Sequence, residues 1–164
     1  MPPVYCNTRE NNMEKITSFK VDHRYIDKGI YVSRIDDDIT TYDLRTRKPN
    51  GGEYMDNITM HTFEHMFATY IRNGELKDHV IYFGPMGCAT GFYLLVRNAD
   101  NEKVLEEVKA VLNKIINHTG EVFGQSEIEC GNYKMLSLET AVKEAKKYLD
   151  VLNSKDNNFL YFEC

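Results

Sequence analysis

The chain has 164 residues, a formal charge of −5 at pH 7 and an isoelectric point near 5.5. That is the length of one domain, enough to bury about two thirds of the surface an unfolded chain exposes. The acidic balance excludes a nucleic-acid binder, and no apolar run reaches membrane-spanning length. The first residues, MPPVYCNTREN, lack the charged and apolar regions of a signal peptide, so a cytoplasmic protein is expected. In that compartment Cys6, Cys88, Cys130 and Cys164 are expected as thiols, and their even number does not argue for disulfides.

Residues 1 to about 14 are polar and aperiodic, an expected surface extension of a single domain spanning 1–164. Strand patterns follow over 16–21, 29–35 and 40–45, with Asp36-Asp37-Asp38 as the hairpin connection between the second and third. Lys48-Pro49-Asn50-Gly51-Gly52 is a loop by its chemistry. A helix is expected over 57–72, preceded by polar capping residues and stopped by Asn73-Gly74. Strands over 79–83 and 91–97 flank the Gly84-Pro85-Met86-Gly87-Cys88 turn. A helix over 101–117, closed by Gly120, and another opening after Ser137 complete the chain. No repeat or low-complexity linker interrupts it. Hairpin spacing among the strands predicts an α+β fold, an antiparallel sheet packed against helices, with the 57–72 helix central.

That helix carries His61-Thr62-Phe63-Glu64-His65, an H-x-x-E-H run of the inverzincin type. At 100° per residue from His61, the apolar Phe63, Met66, Phe67, Tyr70 and Ile71 fall between about 140° and 280°. His61, Glu64, His65 and Ala68 gather within about 60° of zero. The histidines are therefore off the apolar face, one turn apart, where two imidazoles reach one metal ion and Glu64 borders them. Exposed histidines beside a surface glutamate would give the same pattern, so a third ligand is needed. Cys130, in the turn before the last helix, would complete a His₂Cys set with an open fourth position, but spacing alone does not bring it to His65. Cys88, in a glycine-punctuated turn, is either a packed small hydrophobe or a thiolate made available by a nearby cation. His79 and His118 fall outside any motif and read as surface or satisfied residues, and Cys6 and Cys164 as noncatalytic.

Several blocks in order over nearly the whole chain make it resemble the LuxS family of S-ribosylhomocysteine lyases. They are Ser18-Phe19-Lys20-Val21-Asp22-His23, Tyr42-Asp43-Leu44-Arg45 with Pro49-Asn50, and His61 to His65. Pro85-Met86-Gly87-Cys88 with Thr90-Gly91-Phe92-Tyr93, then Cys130-Gly131 and Ser137-Leu138-Glu139, continue the series. The resemblance implies a LuxS/metallopeptidase-like fold and His61, His65 and Cys130 as ligands of a metal, natively Fe²⁺, with Zn²⁺ or Co²⁺ also accommodated. It implies Glu64 and Cys88 as proton carriers and Ser18, His23 and Arg45 as substrate-pocket residues. It further implies a homodimer with active sites at the interface, no organic cofactor, and release of homocysteine and 4,5-dihydroxy-2,3-pentanedione, the autoinducer-2 precursor. The alternatives are an inverzincin-type zinc peptidase, normally longer and with a glutamate as third ligand, or a noncatalytic metal-binding domain on the same scaffold. The chain departs from the family at Tyr82-Phe83-Gly84, where Asp-Ile-Ser is usual, at Thr46-Arg47, where Phe-Cys is usual, and at Leu136, where a histidine is common.

Overall fold

A computed structural model of the chain describes residues 13–161. The expected surface extension, together with Cys6 and Cys164, falls largely or wholly outside those residues. Four strands, β1 (Gly29–Asp36), β2 (Ile39–Arg45), β3 (Val80–Pro85) and β4 (Gly91–Arg97), form one antiparallel sheet in the order β1-β2-β4-β3. The helices are a short α1 (Thr17–Lys20), then α2 (Asn57–Arg72), α3 (Asn101–Ile116) and α4 (Leu138–Asn153). This is the expected α+β arrangement, with the H-x-x-E-H run on α2.

Local chemistry sets the boundaries. The acidic turn closes the β1–β2 hairpin with Asp37 in the left-handed region (φ 53°), which short polar side chains tolerate best. Asp56 caps α2 by accepting from the Thr59 amide, and Asp100 caps α3 by accepting from Lys103. β3 runs on to Pro85, which a strand on the edge of a sheet can accommodate because its missing N–H leaves no ladder bond unmade.

One expected strand is absent. Residues 17–20 form α1 instead, and Ile16 and Phe19 are exposed. Alternation of apolar residues makes a strand only where a neighbour takes the backbone groups. Beside β1 that place is held by Phe159, whose carbonyl accepts from the Val32 amide.

Period-two alternation gives the sheet two different faces. One carries Ile30, Tyr42, Leu44, Phe92, Leu94 and Val96 into the main core, which α2 fills with Phe63, Met66, Phe67 and Ile71. There Phe67 stacks on Phe83 at 4.3 Å between ring centroids, and Phe63 meets Phe92 at 4.8 Å. α2 also packs against α3 and α4, which leaves Phe63, Met66, Phe67 and Ile71 buried and Tyr70 partly so. The other face carries Asp43 and Arg45. Val21, Ile26, Tyr31 and Tyr161 cluster as a smaller second core.

Candidate metal centre and thiol cleft

With Phe63, Met66 and Phe67 committed to the core, His61, Glu64 and His65 are left half-buried on the opposite side of α2. The chain returns to that side in the segment between α3 and α4. The Ser137 amide donates to Thr62 Oγ1 (2.9 Å), and the Cys130 amide donates to the Ser126 carbonyl (3.0 Å) inside a turn. The nitrogen and sulfur donors of His61, His65 and Cys130 then lie within 4.8 Å of one another.

The details of this group suit a metal. Nδ1 of His61 is 3.0 Å from the Met135 carbonyl and Nδ1 of His65 is 2.7 Å from the Phe123 carbonyl. A carbonyl can only accept, so each Nδ1 carries the proton and each Nε2 offers a lone pair. The two rings stand perpendicular, 4.6 Å apart. Cys130 Sγ lies 3.4 Å from His61 Nε2, close to the ~3.5 Å that ordinary zinc bond lengths and a tetrahedral angle require. Gly124, at φ +71°, passes so near His65 that a Cβ there would stand 3.0 Å from Nδ1. The third donor is a thiol where a peptidase of the inverzincin type uses a carboxylate. Three protein donors leave the remainder of the coordination sphere open.

Cys88 occupies a different place. Its turn between β3 and β4 is fastened by Met86 N–H to Gly91 O, by Ala89 N–H to Met86 O, and by Met55 N–H to Ala89 O. Ala89 adopts φ 62°, and Cys88 is exposed at the tip. With His23, Pro49, Asn50, Tyr54 and Thr90 it lines a cleft of about 150 Å³. Arg45 is behind it, 2% exposed, donating Nε and Nη2 to both Asp43 oxygens (3.0 and 2.6 Å) and Nη1 to Thr90 Oγ1 (2.8 Å). Burial alone would lower the Arg45 pKa, but the Asp43 charge and hydrogen bonds outweigh it and the net direction is up. Burial pushes the Asp43 carboxyl upward, with Arg45 and the Tyr161 hydroxyl pulling against it.

The residues singled out in the sequence thus fall into two groups. His61, His65 and Cys130 meet, with Glu64 on the same helix. Cys88 and His23 share the cleft, and Arg45 reaches it through Thr90. Ser18, on α1, is half-buried and does not line the cleft, nor does any of the three metal-type donors. His79 and His118 are satisfied by the Arg97 and Glu121 carbonyls. Sequence reasoning passed over Thr90 and Asp43 as working residues. Asp43 carried a period-two signal, standing two residues from Arg45 on β2, whereas Thr90 and Cys88 lie in the turn between β3 and β4, where strand spacing gives none. Nothing in the sequence pointed to the Met135 and Phe123 carbonyls, which are backbone atoms.

Comparison with known proteins agrees with this geometry. The family model for S-ribosylhomocysteinase (LuxS) matches residues 16–159. An S-ribosylhomocysteine lyase of Finegoldia magna is 45% identical over 157 residues, covering 92% of this chain and 100% of that protein. Those of Borreliella afzelii and Phocaeicola vulgatus are 42% and 38% identical, covering 91% and 92% of this chain and 99% and 98% of theirs. The chain belongs to the S-ribosylhomocysteinase (LuxS) family.

Proposed function

We propose that this chain is a metal-dependent carbon–sulfur lyase that splits the thioether of S-ribosylhomocysteine into homocysteine and 4,5-dihydroxy-2,3-pentanedione. The observation that carries the reading is the open His61–His65–Cys130 donor set in a chain that matches this family over residues 16–159. An unactivated C5–sulfur bond has a poor leaving group, so the ribose carbonyl must first move from C1 through C2 to C3. Loss of the C4 proton then expels the thiolate from C5 by β-elimination. His61, His65 and Cys130 would hold a divalent metal, Fe²⁺ in the reading favoured here, which supplies Lewis-acid polarisation of a carbonyl. Glu64, on the metal-facing side of α2, and Cys88 move protons between neighbouring ribose carbons. Ser18, His23 and Arg45 bind and orient the substrate. No organic cofactor takes part.

The same reading makes the enzyme a single domain over 1–164 and a homodimer with its active sites at the interface. Two observations support the dimer. None of His61, His65 and Cys130 lines the Cys88 cleft of its own chain, so a second copy is a natural source of the metal group. The segment bearing Ser18 and His23 also exposes Phe19 (70%) and Tyr25 (60%), apolar surface suited to burial against a partner. No described helix is long and apolar enough to cross a membrane. A cytoplasmic location would keep Cys88 and Cys130 reduced.

The test is thiol release from S-ribosylhomocysteine by anaerobic protein loaded with Fe²⁺ or Co²⁺. One thiol per substrate is expected, and none would refute the reading. Cys130→Ala should lose its metal, whereas Glu64→Ala and Cys88→Ala should keep metal and lose turnover.

A further inference from the structure

Cys88 Sγ lies 3.0 Å from Thr90 Oγ1, and Thr90 is 2% exposed. The same oxygen receives Arg45 Nη1 at 2.8 Å. A guanidinium has donors and no acceptor, so Thr90 Oγ1 must be the acceptor of that bond. Its single hydroxyl hydrogen is then free for the remaining neighbour, Cys88 Sγ. The far end of the chain is equally directed, because Asp43 can accept from Arg45 but has nothing to donate when ionised. Asp43, Arg45, Thr90 and Cys88 therefore form a one-way series of donors that ends on sulfur.

Thr90 has little freedom to turn away. Its carbonyl accepts from the Thr46 and Arg47 amides, both at 3.0 Å, and Arg47 is clamped to Glu144 of α4. Gly91, the next residue, lies so close to β2 that a Cβ there would stand 2.7 Å from the Leu44 carbonyl. The Thr90 backbone is thus held in place and its hydroxyl by Arg45, while the sulfur it meets is exposed.

We infer that Thr90 is a positioning residue for Cys88, its hydroxyl donating to the sulfur so as to favour the thiolate and aim it into the cleft. A hydrogen-bond donor held against sulfur stabilises the anion more than the neutral thiol. The other ionisable groups facing this thiol, among the described residues, are Arg45, held by Asp43, with His23 and Tyr54 in the cleft and Tyr93 on β4. The inference deepens the reading of Cys88 as a proton carrier, but its test does not depend on lyase turnover.

The experiment is alkylation of the metal-loaded protein by iodoacetamide, with the Cys88 peptide followed by mass spectrometry across pH. Thr90→Val keeps the shape and removes the donor. Its Cys88 should react about three- to tenfold more slowly at neutral pH and catch up as the pH rises. Thr90→Ser restores the hydroxyl and should stay within about twofold of wild type. Wild-type kinetics in Thr90→Val overturn the inference, as does a loss in Thr90→Ser equal to that in Thr90→Val. If Thr90→Val does not fold, Thr90→Ala decides by the same alkylation: slower reaction of Cys88 than in wild type is expected, and wild-type kinetics overturn the inference. Normal alkylation effects with no thiol release from S-ribosylhomocysteine would instead count against the proposed function alone.

Discussion

Arg47→Ala should be strongly destabilising. Arg47 donates Nη1 and Nη2 to the two oxygens of Glu144 at 2.5 and 2.7 Å. The arginine side chain is 12% exposed and the glutamate side chain 2%. Removing the guanidinium leaves a carboxylate inside the protein without its counter-charge, which typically costs about 3–5 kcal/mol. The lower half of that range applies, because Lys143 and Lys147 line the same hollow and can lean toward the vacated site. For a domain of this length about 3 kcal/mol corresponds to a fall in Tm of roughly 6–12 °C. The double variant Arg47→Met/Glu144→Met removes both charges while keeping most of the volume, and should return to within about 1 kcal/mol of wild type. Urea denaturation at fixed protein and metal concentration measures all three, since binding of metal or partner shifts apparent stability. A loss below about 1 kcal/mol in Arg47→Ala, or a double variant as unstable as the single, would refute this account. The position has functional weight as well, because the Arg47 amide holds the carbonyl of Thr90.

Gly124→Ala must place a Cβ 3.0 Å from His65 Nδ1 at a φ of +71°, so both the backbone and the imidazole are disturbed. Metal affinity should fall about 10- to 100-fold in a chelator competition, and unchanged affinity would show that Gly124 does not set the His65 ring. Gly91→Ala brings a Cβ within 2.7 Å of the Leu44 carbonyl, a backbone atom that cannot swing aside. It should lower stability by roughly 1–3 kcal/mol on thermal melting, and a neutral result would mean that the β2–β4 ladder can spread. Burial holds the phenols of Tyr31 and Tyr42 up to about 12, helped by the Asp27 charge at Tyr31 and by Asp100 at Tyr42. The unfolded chain ionises them near 10.0, so their contribution is whole below that pH and is lost as the pH rises through about 12. Alkaline unfolding followed by circular dichroism should therefore steepen above pH ~10, and Tyr42→Phe should flatten it.

Much of this protein is legible in one dimension because its signals are local. The spacing of Phe63, Met66, Phe67 and Ile71 defines α2 and its buried face, and by exclusion turns His61 and His65 the other way. Helix and hairpin boundaries follow from Asp56, Asp100 and the acidic turn, where a side chain answers a backbone group a few residues away. The segment around residues 17–20 has the same kind of local pattern, yet it folds as a helix. Strand formation is a property of two segments, and Phe159 already holds the place beside β1.

The site divides along the same line. H-x-x-E-H determines by itself that two imidazoles share one side of a helix, because 3.6 residues per turn is fixed by backbone geometry. That Cys130 joins them, 69 positions away in sequence from His61, depends on how the segment between α3 and α4 closes over α2. The same holds for the carbonyls of Met135 and Phe123, which choose the histidine tautomers and carry no side-chain signature. Thr90 between Arg45 and Cys88 is likewise visible only once β2 and β4 are paired. Sequence determined the donors and the helix that presents them. Tertiary structure decided which of them meet, because contacts between distant segments are set by packing of the whole core.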